Sequence, residues 1–133
     1  MAQRFHSVLI DTNAYSQIWR HHQGVLDVLA ASDRLIMSVV VLGELRAGFE
    51  NGTQKQNNEK ILENYLTHST VSVLPVHDST TRIYAKLYAH QRKLGKPIPS
   101  NDLWIASQAI ELDVPLLTLD AHFVDIKGLK LAL

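Results

Sequence analysis

Short apolar runs alternate along the chain with longer stretches in which apolar residues recur at helical spacing. Four runs have the length of strands, and they lie at residues 7–10, 35–37, 71–75 and 115–119. The first run lacks the alternation of a half-exposed strand, which is typical of a strand covered on both faces in a parallel sheet. Residues 129–133 are a candidate for a fifth strand.

Helical patterns fill the segments between these strands. They predict helices at about residues 14–21, 25–31, 39–49, 58–68, 79–94 and 101–112, with a polar loop at residues 50–58. Ser38 is expected to cap the third helix, Asp78 or Ser79 the fifth, and Ser100 or Asn101 the sixth. Strands separated by helices imply right-handed crossovers. The chain is therefore predicted to be one α/β domain, residues 1–133, with a central parallel sheet of four to five strands and helices on both faces.

Composition narrows the class of protein. A chain of 133 residues suits a single domain, and the absence of cysteine excludes disulfides, thiolate zinc sites and cysteine nucleophiles. No apolar run approaches the roughly 18 residues that cross a bilayer, and the amino terminus meets an aspartate before a signal-peptide core develops, so a cytoplasmic protein is expected. Thirteen basic residues balance 13 acidic ones, so any binding of nucleic acid must depend on local charge clusters.

Acidic residues occupy the positions where an open parallel sheet binds its ligands. Asp11 and Asp120 each follow a predicted strand, at the carboxyl edge of the sheet. Asp102 lies in the first turn of a helix, and Glu44 lies among apolar residues on a face predicted to be buried. Each acid alone has an ordinary explanation as a cap, a turn residue or a paired side chain. Together, and without cysteine, they indicate a site for magnesium or manganese.

Four segments in order resemble those of the PIN-domain ribonucleases, and within them the VapC-type toxins. The segments are LIDTN at residues 9–13, VVLGELRAG at 40–48, LGKPIPSNDLWIAS at 94–107 and LLTLDAHF at 116–123. They carry the four acids in the family's order. Leu119 departs from the family pattern, which often has arginine or asparagine there, so a contact of that side chain with substrate or an ion pair is in doubt.

The resemblance implies a metal-dependent endoribonuclease that acts as the toxin of a VapBC pair. Magnesium, or manganese, would be held by the acids Asp11, Glu44, Asp102 and Asp120. Thr12 and Asn13 are expected to orient Asp11 or a coordinated water, and Thr118 to hydrogen-bond the acidic site. The resemblance also implies a VapB-type antitoxin as partner, and a homodimer or a toxin–antitoxin hetero-oligomer. A structured RNA such as tRNA is the expected substrate.

Local basic clusters offer sites for RNA phosphates. Residues 82–96 include no acidic residue and five basic ones, which are Arg82, Lys86, Arg92, Lys93 and Lys96. A second cluster, residues 20–22, follows Asp11. A solvated helix face explains the first cluster equally well.

Alternatives remain open at two residues and for the chain as a whole. His122 follows Asp120 and is expected to be a packed or capping side chain rather than a ligand or a general acid. For Arg46 two roles remain open, a contact with an RNA phosphate and an ion pair with a carboxylate of an antitoxin. A catalytically silent PIN-like module for RNA binding or interaction is the main alternative. Asn13 stands where an aspartyl phosphotransferase needs a second aspartate, which disfavours that class.

Overall fold

The computed structural model describes residues 3–133 as a four-stranded parallel sheet flanked by helices. The strands have the order β3-β2-β1-β4 in the sheet. They are β1 (Phe5–Ile10), β2 (Ser32–Ser38), β3 (Val71–Leu74) and β4 (Leu116–Leu117). Six α-helices are described: α1 (Thr12–Ile18), α2 (Gln23–Ala30), α3 (Val39–Asn51), α4 (Lys55–Leu66), α5 (Asp78–Lys93) and α6 (Ser100–Leu112). A 3₁₀ helix follows at Ala121–Asp125.

The register of the sheet brings the carboxyl ends of its strands to one edge. Ile10 of β1 pairs with Met37 of β2 on one side and with Leu117 of β4 on the other. Val8, Leu9 and Ile10 are completely buried, because β1 is covered by neighbouring strands and by helices. The chain leaves this buried strand directly into Asp11, which therefore lies at the carboxyl edge.

Side-chain caps start the elements that leave this edge. Asp11 accepts a hydrogen bond from the backbone N–H of Ala14 (2.8 Å) and caps α1. Ser38 caps α3 through the N–H of Val40 (3.0 Å), as predicted from the sequence. Asp120 caps the 3₁₀ helix. Two of the four predicted site acids thus also satisfy free N–H groups at helix starts.

Helices α5 and α6 pack side by side in opposite directions. The hydroxyls of Ser79 and Thr80, in the first turn of α5, donate to the carboxylate of Glu111 in the last turn of α6. At the other end, the Gln91 side-chain amide donates to the carbonyl of Lys96 (3.1 Å), and the N–H of Lys96 donates back to the Gln91 carbonyl (3.0 Å). The end of α5 is therefore near the start of α6, where Asp102 lies.

The described residues form four strands, within the predicted four to five, and the candidate fifth strand does not form. Residues 129–133 form one isolated parallel bridge between Leu131 and Leu116 instead of a strand. Backbone bonds join Leu116 to Lys130 and Ala132 on either side of that bridge (2.8 and 2.9 Å). Because β4 has only two residues, the C-terminal segment has too short a neighbour for a full ladder.

Several predicted boundaries also shift. Helix α1 begins at residue 12 because Asp11 caps it, and α4 begins at Lys55, inside the predicted polar loop. The residues preceding α5 and α6 are His77 and Pro99, one position before the expected caps. Within residues 3–133, no helix is long and apolar enough to cross a membrane. Met1 and Ala2, which belong to the predicted 1–133 domain, lie outside the described residues.

Candidate active site

Asp11 is a buried carboxylate held by two hydrogen bonds. Only 5% of its surface is exposed. Its Oδ1 accepts from Ala14 N–H, and its Oδ2 accepts from the Thr118 hydroxyl at 2.5 Å. Burial raises the pKa of Asp11 above its ordinary value; the two hydrogen bonds oppose that rise, and the charges of Asp102 and Asp120 add to it. The two hydrogen bonds therefore fix the position of Asp11, while burial and the neighbouring acids disfavour its ionised form.

Asp102 occupies the first turn of α6 at the same edge of the fold. It is half-buried, and burial raises its pKa. A hydrogen bond and the charge of His122 lower that pKa, whereas the charges of Glu44 and Asp120 raise it. Asp102 thus lies close enough to two other acids for their charges to oppose its ionisation. The four predicted acids converge in one electrostatic cluster.

Glu44 reaches this cluster from α3, which leaves the carboxyl end of β2. Its Oε1 accepts a hydrogen bond from the Thr12 hydroxyl at 2.7 Å. The side chain is half-buried, so the expectation that it lies on a buried face is corrected. The apolar residues that suggested burial, Val41 and Leu45, face the core from neighbouring positions of the helix. Thr12, expected to orient Asp11 or a coordinated water, makes this contact with Glu44.

His122 bridges two of the acids and also packs against Phe123, with 4.8 Å between the ring centres. Its Nε2 lies 2.9 Å from Asp102 Oδ2, and its Nδ1 lies 2.7 Å from Asp120 Oδ1. Asp120 itself is exposed and closes the cluster from the end of β4. The sequence carried only a weak signal for this bridge, the separation of two residues from Asp120, since Asp102 is 20 residues away on another helix.

Thr118 joins the two parts of the cluster. Besides donating to Asp11, its hydroxyl oxygen accepts from the N–H of Asp120 at 3.0 Å. The side chain of Asn13, expected to act beside Thr12, belongs to an exposed residue of the first turn of α1. The buried hydroxyl of Thr118 is therefore the better placed of the two to orient the acids.

The donor set fits a divalent cation. Asp102, Asp120 and His122 each offer a ligand atom, and these atoms all lie within 4.8 Å of one another. Burial raises the pKa values of Asp11 and Asp102, and the charges of neighbouring acids add to both rises; a cation would relieve that repulsion. Carboxylate oxygens are the ligands that magnesium and manganese prefer. Asp102, Asp120 and His122 are therefore the residues whose ligand atoms could share such an ion, with Asp11 and Glu44 nearby.

The predicted RNA-binding residues do not form one patch beside the acids. Arg82, Lys86 and Lys93 share the exposed side of α5, opposite its buried residues. Arg82 is 11 positions before Lys93, about 16 Å along the helix. Because α5 begins near the end of α6, Arg82 and Lys86 lie towards the end of the helix pair that is remote from Asp102.

Arg92 and Lys96, the other two predicted RNA-binding residues, lie nearer the acids. The Arg92 guanidinium lies over the ring of Tyr88, 5.7 Å from its centre, and also donates to the Tyr88 hydroxyl. Lys96 Nζ contacts Asp125 of the 3₁₀ helix at 3.2 Å. Since that helix also carries His122, Lys96 is close to the rim of the acidic cluster. In the second basic cluster, Arg20 lines a neighbouring groove and His22 caps α2.

Arg46 forms an ion pair within the chain. Its Nε and Nη2 donate to both carboxylate oxygens of Glu59 on α4, at 2.9 to 3.3 Å. This contact raises the pKa of Arg46 above its ordinary value. The two alternatives considered for Arg46, a phosphate or a partner's carboxylate, would each have to compete with Glu59.

A groove with aromatic walls lies between α1, α3 and α4. Tyr15, Trp19 and Tyr65 pack edge to face with ring centres 5.7 to 5.9 Å apart. Burial raises the pKa of Tyr65 to about 12. Trp19 is 46% exposed, so this cluster presents an aromatic surface to solvent. Leu45, Phe49 and Ile61 complete the apolar lining.

Comparison with known proteins places the chain in a family. It belongs to the PIN domain family, whose model matches residues 8–129. Ribonuclease VapC5 of Mycobacterium tuberculosis is 32% identical over 103 residues, 77% of this chain and 76% of that protein. Ribonuclease VapC1 of Haemophilus influenzae (strain R2866) is 29% identical over 114 residues, 83% and 84% of the two chains.

A solved structure agrees with these relatives. The crystal structure of VapBC2 from Rickettsia felis bound to a DNA fragment from its promoter superposes with a TM-score of 0.82 and 27% identity, over 94% of this chain and 96% of that one. The predicted VapC-type PIN fold is confirmed. The predicted enzyme class, an endoribonuclease, agrees with the names of the relatives.

Proposed function

We propose that this VapC-type PIN protein is a magnesium- or manganese-dependent endoribonuclease and the toxin of a VapBC pair. The observation that carries the proposal is the convergence of Asp11, Glu44, Asp102 and Asp120 at one edge of the sheet. Besides burial, the charges of the neighbouring acids raise the pKa values of Asp11 and Asp102, as expected where carboxylates share a cation. The names of the relatives support RNA as the substrate.

The chain's own residues prepare this site for hydrolysis of a phosphodiester bond. A bound divalent cation supplies an activated water and stabilises charge on the phosphate oxygens. Ala14 N–H and Thr118 hold both oxygens of Asp11, and Thr12 holds Glu44. These bonds limit rotation of the carboxylates, so little reorganisation accompanies binding of the ion.

RNA would approach along the surface where α5 ends and α6 begins. Arg92, Lys93 and Lys96 lie at that end, and we assign them to phosphate contacts near the cleaved bond. Arg82 and Lys86, farther along α5, would hold more distant phosphates. A structured RNA such as tRNA, cut in a single-stranded loop, is the proposed substrate, because unpaired bases can be read by side chains.

The aromatic groove is the proposed site for the antitoxin. Related structures are VapBC complexes, which supports a VapB-type partner. An amphipathic segment of VapB would bury its apolar residues against Trp19, Phe49 and Ile61. We further propose that the toxin forms a homodimer or a toxin–antitoxin hetero-oligomer, and that it acts in the cytoplasm, where its RNA is.

Cleavage of total bacterial RNA by the purified protein tests the proposal. We expect discrete products in magnesium or manganese and none in chelator. Asp102→Asn should abolish them, because a site ligand is lost. The matched control Asp33→Asn, which changes an exposed aspartate at the amino end of β2, should cleave like the parent. Cleavage that survives chelation and Asp102→Asn would contradict the proposal.

The alternative is a catalytically silent PIN-like module that binds RNA or a partner. It predicts RNA binding with no products under any metal condition. A co-purified antitoxin could also block the site, so the protein must first be shown to be free of a second chain. Retention of all four acids favours the enzyme.

A further inference from the structure

We propose that His122 supplies a nitrogen ligand to the divalent cation, so that the site has mixed nitrogen and oxygen donors and binds manganese in preference to magnesium. This inference rests on the metal dependence proposed above. It adds a ligand to the four acids and gives the site a metal preference.

The two contacts of the His122 ring define different roles for its nitrogens. Nδ1 lies 2.7 Å from Oδ1 of Asp120, the residue that caps the 3₁₀ helix carrying His122. Nε2 forms the hydrogen-bond contact with Asp102, so a cation that binds Nε2 would take the place of the proton between these two atoms. Histidines that bind metals usually donate their other N–H to a carboxylate or a carbonyl, which selects the tautomer and orients the ring. Asp120 is placed to do this for His122.

Nε2 faces the other acid. It lies 2.9 Å from Asp102 Oδ2, at the distance of a hydrogen bond. Metal ligands must lose their protons, so a cation would replace the proton shared by Nε2 and Oδ2. Two neighbouring ligands of an octahedral ion lie about 3 Å apart. The spacing of Nε2 and Oδ2 therefore matches that of two ligands of one ion.

The surroundings of the ring allow an ion to enter while limiting rotation of the imidazole. The His122 side chain is 36% exposed, and Asp102 and Asp120 are 22% and 44% exposed. The ring of Phe123, whose residue is buried, lies 4.8 Å from the imidazole. The nearby cation Lys96 contacts Asp125 rather than these two acids. Among the described residues in contact with Asp102 and Asp120, His122 is thus the one that could bring a nitrogen to a metal.

A nitrogen ligand changes which ion the site prefers. Magnesium binds oxygen ligands and keeps much of its water, whereas imidazole suits transition metals. Manganese accepts both oxygen and imidazole ligands. Removal of the imidazole should therefore weaken manganese binding more than magnesium binding.

Pulsed electron paramagnetic resonance of bound Mn²⁺ tests the ligand directly. The spectrum of the parent protein should show coupling to ¹⁴N, and His122→Ala should lose it. The control His6→Ala removes an exposed imidazole at the amino half of β1 and should keep the coupling. By calorimetry, His122→Ala should weaken Mn²⁺ binding about tenfold or more, and Mg²⁺ binding by a clearly smaller factor. The spectrum of His122→Gln should also lack the ¹⁴N coupling.

Three results would overturn the inference, and they separate it from the proposed function. Bound Mn²⁺ without ¹⁴N coupling in the parent would mean that His122 only orients Asp102 and Asp120. Equal weakening of Mn²⁺ and Mg²⁺ in His122→Ala would mean the same. In both cases, metal-dependent cleavage of RNA would leave the proposed function standing. Absence of any Mn²⁺ binding together with cleavage in chelator would defeat both.

Discussion

The hydroxyl of Thr118 donates to Oδ2 of Asp11 at 2.5 Å, joining the end of β1 to the segment that follows β4. These residues are 107 positions apart and both are buried. The same hydroxyl accepts from the N–H of Asp120. One side chain therefore fixes the relative position of two acids that come from opposite ends of the chain.

Thr118→Val should destabilise the protein and weaken its metal site. Valine has the shape of threonine but leaves Asp11 without one of its two hydrogen bonds. Loss of a hydrogen bond to a buried charge costs about 1.5–3 kcal/mol in the free energy of unfolding, measured by urea denaturation at pH 7. Thr53→Val, in the exposed α3–α4 loop, is the control and should change that energy by less than about 0.5 kcal/mol. An unchanged stability in Thr118→Val would refute the hydrogen bond.

Asp11→Asn should abolish RNA cleavage and leave the fold intact, with a stability difference that depends on pH. The pKa of Asp11 is raised in the folded protein, so its ionisation lowers stability as pH rises from about 4 through the folded value. Asparagine carries no charge at any pH. In metal-free buffer, the stability of Asp11→Asn relative to the parent should therefore increase between pH 4 and pH 7. A variant that melts far below the parent at pH 7 would show that Asp11 is chiefly structural.

Removal of metal should lower the melting temperature of the parent protein. An ion that binds only the folded state adds about 2.7 kcal/mol at a concentration 100 times its dissociation constant. Differential scanning fluorimetry should show a rise with added Mn²⁺ in the parent and in Asp33→Asn, and a much smaller one in Asp11→Asn. Equal rises in all three proteins would place the ion elsewhere.

Charge reversal at the end of α5 should weaken RNA binding. Arg92→Glu combined with Lys93→Glu removes two phosphate contacts, so the salt dependence of binding should also flatten, by about 0.7 in the logarithmic slope per contact for single strands. Filter binding across a salt series measures both effects. Lys55→Glu combined with Lys60→Glu, on α4, is the matched double reversal. If the first pair has no effect, the cluster at residues 20–22 becomes the better candidate.

Trp19→Ala should weaken binding of the antitoxin without abolishing RNA cleavage. Truncation of an aromatic anchor at the centre of an interface typically costs 2 kcal/mol or more, about a 30-fold loss of affinity. Calorimetry with the cognate antitoxin measures it. Tyr88→Ala, which removes an aromatic residue of similar exposure on α5, should bind the antitoxin like the parent. Equal effects of both variants would exclude the groove as the docking site.

The sequence predicted the elements that depend on local patterns. The run that ends at Ile10 predicted the buried central strand, and Ser38 marked the start of α3. The strand and the cap are confirmed because apolar periodicity and capping are encoded within a few residues. The assignment of the four acids to a metal site depends on the family resemblance and stays a prediction.

Contacts between distant segments could not be predicted in the same way. The His122–Asp102 contact depends on how the 3₁₀ helix packs beside α6, and the Thr12–Glu44 bond depends on the angle between α1 and α3. Residues 129–133 suggest a fifth strand, but pairing also requires a long enough neighbour, and β4 has two residues. The five basic residues from Arg82 to Lys96 are close together in the sequence, but helix α5 separates Arg82 from Lys93 by about 16 Å.

The most direct test of the account measures Mn²⁺ binding and RNA cleavage in the same samples. As the ion is titrated, the cleavage rate should rise in proportion to the bound metal in the parent protein. Asp11→Asn should show neither tight binding nor cleavage, and Asp33→Asn should match the parent in both. Cleavage that is complete before metal binds, or Asp11→Asn that binds Mn²⁺ as tightly as the parent, would contradict the claim that the four acids form a catalytic metal site.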